Sequence, residues 1–272
     1  MIHMKLAEAF AFSAPVVCAV ICMIMMLMDA HARRSNPVER RLRLFLAFAY
    51  LVSLLGWLGM VFFVLSPRVF VYYYTVFLLT LMLDQVMIYR FVSIITNTGE
   101  HPKFNRLHLI IPLLIIAVSA TGSLLVPVDR QMDIIYGDAG YNSWFRVMYV
   151  TATVIFVVYN SLYPALNLRN IRRYREFIVN YSADAYYTSL NWQTIIQVLI
   201  LVTVPLPFAG LLIGVPVAAV SSLLLFGALA YFINYLILCF NLLNSNYLII
   251  QPDALKNDSP SMAASIDRKH FE

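Results

Sequence analysis

The stretch "LRLFLAFAYLVSLLGWLGMVFFVL", Leu42 to Leu65, is one of several apolar runs of eighteen or more residues in this chain. A run of that length matches a hydrocarbon layer about 30 Å thick. Within such a layer every backbone N–H and C=O must find its partner inside the protein, which leaves helices or a closed barrel. None of the runs has the roughly ten-residue alternation of a barrel strand, so helices are expected. Seven apolar segments can be marked: Leu6–Met28, Leu42–Leu65, Val69–Ile95, Leu107–Val126, Ser143–Leu166, Trp192–Ile213 and Val215–Asn241. The composition agrees, at 61% hydrophobic and 12% charged, against about 45–50% and about 25% in soluble domains. The expected fold class is all-α: a polytopic membrane protein, with residues 1–245 as a seven-helix bundle. Residues 246–272 then form a tail or a linker to an output domain.

The loops alternate in charge. Arg33, Arg34, Arg40, Arg41 and Arg43 follow the first segment, Lys103 and Arg106 separate the third and fourth, and a basic island separates the fifth and sixth. The remaining loops are very short or acidic, as in Val128–Asn142 with Asp129, Asp133 and Asp138. An excess of Lys and Arg marks the cytoplasmic side, so the N-terminus is expected outside and the C-terminal tail inside. Ala30-His31-Ala32 looks like a signal-peptide cleavage site, but the preceding run is longer than a signal core and arginines follow it directly. An uncleaved first helix is therefore expected.

The island, "RNIRRYREFIVNYSADAYYTSLNW", carries Arg169, Arg172, Arg173 and Arg175. Ile171, Tyr174, Phe177, Ile178 and Tyr181 recur at helical spacing, with the arginines on the other faces. Trp192 follows at a depth suited to an interfacial aromatic. The island can be a positive-inside anchor alone, or a coupling element that lies close to the exit of the seventh helix near Asn241–Tyr247.

Asn180-Tyr181-Ser182, then Leu190-Asn191-Trp192 and a long apolar helix, resembles a segment of Bacteroidetes membrane regulators. The Tyr/Asn-rich exit from the last helix (Phe232-Ile233-Asn234-Tyr235, then Asn244-Ser245-Asn246-Tyr247) is also similar. Those regulators carry about seven N-terminal helices followed by a cytoplasmic AraC-type helix-turn-helix or a histidine-kinase module. The resemblance implies a sensor region in a bacterial inner membrane, signalling to an output domain, a partner protein or a second copy of the chain. After Leu255 the chain reads "KNDSPSMAASIDRKHFE", with neither output pattern, so it is expected to be a sensor region of a longer protein or a relative that signals through a partner.

Inside the spans, Asp84 is the most informative residue, because a carboxylate at membrane depth faces a bundle interior or a cavity. Asn160 and Asn234 fall at similar depth, so Asp84, Gln85, Asn160 and Asn234 are expected to form a polar cluster. It either holds helices together by hydrogen bonds or acts as a protonation or ion switch. Tyr73, Tyr74, Trp57 and Trp144 lie toward the outer ends of their segments. They form either an interfacial belt or an outer pocket for a small apolar or lipid-like ligand. Pro205, Pro207 and Gly210 are expected to kink the sixth span.

Several classes are excluded or disfavoured. The four lysines (Lys5, Lys103, Lys256, Lys269) lie outside the last span, which rules out a retinal Schiff base there. No metal-binding spacing, phosphate loop or catalytic triad can be read, and Cys18, Cys22 and Cys239 read as small buried hydrophobes. No cofactor, metal, enzymatic activity or direct nucleic-acid binding is expected. A sensor or signal-transducing module is the first reading; a small secondary transporter or intramembrane binding protein is the alternative.

Overall fold

A computed structural model describes residues 2–33, 36–97, 105–136, 144–178, 190–212, 217–245 and 247. Among these residues the regular structure is wholly helical, in nine helices. They are α1 (Ile2–Ala32), α2 (Pro37–Leu65), α3 (Pro67–Ile95), α4 (Leu107–Leu125), α5 (Val128–Tyr136), α6 (Trp144–Ile178), α7 (Asn191–Thr203), α8 (Pro205–Leu212) and α9 (Val217–Leu243). Seven stretches are long and apolar enough to cross a membrane: α1 from Ala7, α2, α3, α4, α6, the α7–α8 pair to Gly210, and α9 from Leu223. The chain is a multi-pass, all-helical membrane protein.

The corners follow from local chemistry. Asn36 caps α2, its Oδ1 accepting from the backbone N–H of Val38 and of Glu39 at 3.2 Å each, and Pro37 takes the first helical position, where no N–H is needed. One residue, Ser66, joins α2 to α3: its N–H donates to Phe62 O and its carbonyl accepts from Phe70 N–H, both at 2.9 Å. Pro67 again opens the next helix. Ala30-His31-Ala32 is the last turn of α1, a helix that packs along α2 and α9.

One feature departs from the sequence-based expectation. The acidic segment after α4 was expected to be loop, yet residues 128–136 form α5. Its buried face is only Gln131 and Ile135, too short a stripe to stand out by periodicity. Gln131 Nε2 donates to Ser123 O at 2.8 Å and Val126 O at 2.6 Å, filling carbonyls that the end of α4 leaves open. The island, by contrast, is helical as its spacing predicts: α6 runs past the apolar segment to Ile178 and takes in the first part of the island.

The sixth span is interrupted at Val204, where α7 ends and Pro205 opens α8. Proline at 205 lacks the N–H an unbroken helix would use and crowds the preceding turn. Packing runs as a ring: α1 contacts α2 and α9, α2 contacts α3, α3 contacts α4 and α6, and α7 contacts α6 and α9. α2 and α3 lie close together at Gly59, where an added Cβ would come within 3.0 Å of Phe77 Cγ.

Candidate functional site

Three parts of the bundle combine polar or open character with burial. The first is an apolar cavity of ≈ 50 Å³ enclosed chiefly by α2, α3 and α6. Phe63, Phe70, Tyr74, Phe77, Tyr149 and Phe156 supply most of its wall. A second cavity of ≈ 40 Å³ adjoins it and shares Met60, Leu81, Phe156, Phe208 and Leu224. The two neighbouring chambers, taken together as the apolar channel, are lined farther along by Trp57, Thr203, Val204, Pro207 and Tyr231. The Tyr74 hydroxyl is buried without a hydrogen-bond partner. So narrow a space suits an extended alkyl chain better than a compact molecule.

The expected outer pocket is therefore only partly the cavity found. Tyr74 lines the larger chamber and Trp57 the smaller. Tyr73 and Trp144 line neither: the Tyr73 hydroxyl donates to Leu55 O at 2.8 Å, and Trp144 is 53% exposed on the bundle surface. The phenylalanines that make the wall were not legible, because Phe in a membrane helix is equally suited to facing lipid. Pro207 and Val204 at the break in the sixth span border the smaller chamber, while Gly210 does not.

The second part is the polar interior. Asp84 is 4% exposed, and Ser53 Oγ donates to its Oδ1. Its neighbour Gln85 donates through Nε2 to the Tyr231 hydroxyl at 3.1 Å, and Trp57 Nε1 donates to the Tyr235 hydroxyl at 3.1 Å. Tyr50, Tyr231 and Tyr235 pack edge to face beside them. These bonds join α2, α3 and α9. The four residues expected as one cluster do not bond to one another. Asn160 Nδ2 donates to Phe156 O on its own helix at 2.9 Å, a local bond short polar side chains readily make. Asn234 is buried and neither atom of its amide has a partner. Equal depth did not suffice, since depth says nothing about rotation around the helix axis.

The third part lies where α1 ends and α2 begins, and sequence reasoning missed it. Arg43 is 0% exposed. Its Nε donates to Asp29 Oδ2 at 2.6 Å and its Nη2 to the carbonyl of Leu242 at 2.6 Å. Arg33 grips the same carboxylate through Nε at 3.0 Å, reaches Glu39 Oε2 through Nη1 at 2.5 Å, and donates to Ser245 Oγ at 3.2 Å. The Tyr247 ring lies 5.4 Å from the Arg43 guanidinium carbon, in cation–π range. Burial, outweighing the nearby Arg43, raises the Tyr247 hydroxyl above its ordinary pKa. The last turn of α9 leaves carbonyls unpaired and carries the negative end of the helix dipole, so a guanidinium suits it well. One signal was available: Arg43, Ala47 and Tyr50 share a helical face, and that face is buried.

The basic island has different described partners. Ile171, Tyr174 and Ile178 are buried. Arg175 Nη2 donates to Thr194 Oγ1 at 2.7 Å, and Asn167 Nδ2 to Gln197 Oε1 at 3.0 Å, so this end of α6 is pinned to α7. Arg172 pairs with Glu176 at 3.2 Å in an exposed position, and Arg173 is exposed as well. Trp192 packs near Phe91, with ring centroids 6.5 Å apart. Tyr181 lies outside the described residues. The described contacts at the exit of α9 go to the α1–α2 corner, where Asp29 accepts from both arginines.

No group of three or more metal-ligating His, Cys, Asp or Glu side chains occurs among the described residues. Compared with protein-family models, curated proteins and solved structures, the chain matches none.

Proposed function

We propose that this protein is a membrane-embedded sensor that passes an external or intramembrane signal to a cytoplasmic output domain or partner. The observation that carries the reading is a double attachment of one helix. α9 borders the apolar channel through Leu224, Gly227 and Tyr231, and its last turn is held by Arg43. The two points are roughly 27 Å apart at about 1.5 Å per residue. A chain-like apolar ligand entering the channel presses on the same rigid element whose far end is clamped. A small displacement there favours a second discrete arrangement at the clamp. The alternative is a small secondary transporter or intramembrane binding protein, favoured by the break at Val204 bordering the channel, since transporters place sites at interrupted helices.

The loop charges support an inner-membrane orientation with the N-terminus outside and the arginine-rich corner in the cytoplasm. Reporter fusions should give an external signal after Asp138 and a cytoplasmic one after Asn257; the reverse at either site would refute this topology.

The relay itself is tested by mimicking occupancy. Leu224→Trp fills the shared part of the channel without touching the clamp. With a spin label at Asn244→Cys in lipid nanodiscs, the filled variant should show a changed label mobility relative to the unfilled protein. An unchanged spectrum in a folded variant would mean that channel and exit are uncoupled, and the sensor reading would fail.

A further inference from the structure

A third cavity, of ≈ 20 Å³, lies between α2, α3, α7 and α9, with Ser53, Asp84 and Gln193 among its lining residues. We propose that it binds a single small monovalent cation, of the size and hardness of Na⁺. The inference is independent of the sensor reading.

The argument begins with charge. Asp84 is buried at membrane depth, and none of the salt bridges among the described residues reaches it. Apart from Asp84, the residues around the cavity include no Asp, Glu, Lys, Arg or His; Tyr50 and Tyr235 are the only other titratable side chains. Arg43, on the same helix as Ser53, is occupied by Asp29 and Leu242. An ionised carboxylate without a counter-charge in such surroundings is very costly, so something must neutralise it.

A proton would neutralise the carboxylate but would leave the rest of the site unexplained. Gln193 is 1% exposed and borders the cavity, yet its Oε1 accepts no hydrogen bond. A buried acceptor without a partner is uncommon and calls for a reason. The Ser53 hydroxyl gives its hydrogen to Asp84, so its oxygen, which also lies against the Tyr235 hydroxyl, has only lone pairs to offer a cation. Three oxygen-bearing side chains thus converge on one small space: a carboxylate, a hydroxyl and an amide. Hard cations choose oxygen donors of these kinds.

Size and charge narrow the occupant. The space exceeds the roughly 10–15 Å³ needed for one water-sized particle and is too small for an organic ligand. One carboxylate with two neutral oxygens carries a single negative charge, so a monovalent ion closes the site at zero net charge. A divalent ion would leave an uncompensated positive charge in a low-dielectric interior.

The test compares thermal unfolding of the full chain in detergent, in NaCl and in choline chloride at equal ionic strength. Choline is too large for the cavity. The midpoint should rise with the logarithm of the Na⁺ concentration once this exceeds the dissociation constant, by about 5 °C at a hundredfold excess. Asp84→Asn should abolish the rise. Gln193→Met keeps the side chain's length, removes one oxygen, and should move the onset of the rise to an at least tenfold higher Na⁺ concentration. Equal midpoints in Na⁺ and choline would mean that the cavity holds water or the carboxyl a proton, and would overturn the proposal. An undiminished Na⁺ effect in Gln193→Met would overturn the assigned site, even if Asp84→Asn failed to fold.

Discussion

Replacing Arg43 by alanine should cost the bundle about 3–5 kcal/mol, the range found when one partner of a buried ion pair is removed. The loss has two parts. The Asp29 carboxylate keeps Arg33 but loses its 2.6 Å bond to the buried guanidinium, and the Leu242 carbonyl is left with only the Ser245 N–H, at 3.0 Å. Lysine at this position keeps a charge beside Asp29 but cannot span both acceptors with a planar fork. Arg43→Lys should therefore recover only part of the stability. Unfolding in mixed micelles, followed by tryptophan fluorescence, measures both. A change of less than 1 kcal/mol in Arg43→Ala would show that the clamp contributes little and that the exit of α9 is held by other contacts.

Gly59 is the second position where a large effect is expected. An added Cβ would come within 3.0 Å of Phe77 Cγ and 3.1 Å of Phe77 Cβ. The Phe77 ring is buried, packs edge to face on Phe70 at 5.4 Å, and forms part of the channel wall. It cannot swing away without filling the channel or separating α2 from α3. Gly59→Ala should cost about 1–3 kcal/mol, the usual range for overpacking, and Gly59→Leu more. Pairing Gly59→Ala with Phe77→Leu should recover part of the loss, because the smaller side chain makes room. If the double variant is as unstable as the sum of the two singles, the clash does not cause the effect.

The helices were legible because membrane hydrocarbon imposes a strong rule on sequence: long apolar runs, broken by charge. The break at Pro205 was legible for a similar reason, since a missing N–H acts locally. What could not be read was azimuth. Asp84, Asn160 and Asn234 fall at one depth, but whether two side chains meet depends on how each helix is rotated, and lipid-facing and bundle-facing positions are both apolar here. Leu78, buried, and Leu113, exposed, are the same residue type in comparable surroundings. Arg43 illustrates the opposite difficulty. A lone arginine among several in a basic loop reads as one more positive charge, although among the described arginines it is the one wholly enclosed. Its enclosure depends on Leu242, 199 residues away in the chain, and no local pattern carries that information. The island likewise announced a helix with a buried stripe, while its attachment through Arg175 to Thr194 depends on how α7 returns beside α6.

The closure of the ring between α1 and α9 has a consequence for biosynthesis. Asp29 and Arg43 sit on α1 and α2, which are made well before α9, so their charges can neutralise each other early during insertion. The carbonyl of Leu242 arrives only when α9 has been made. Until then Arg43 lacks its second acceptor, and the α1 surface bearing Cys18 and Cys22, which in the finished bundle approach Phe232 O and Tyr235 O, stands uncovered. A chain stalled before α9 therefore presents an unsatisfied guanidinium and two uncovered thiols at the same seam. The clamp therefore closes only once α9 is in place, at one bond between α2 and the last turn of α9.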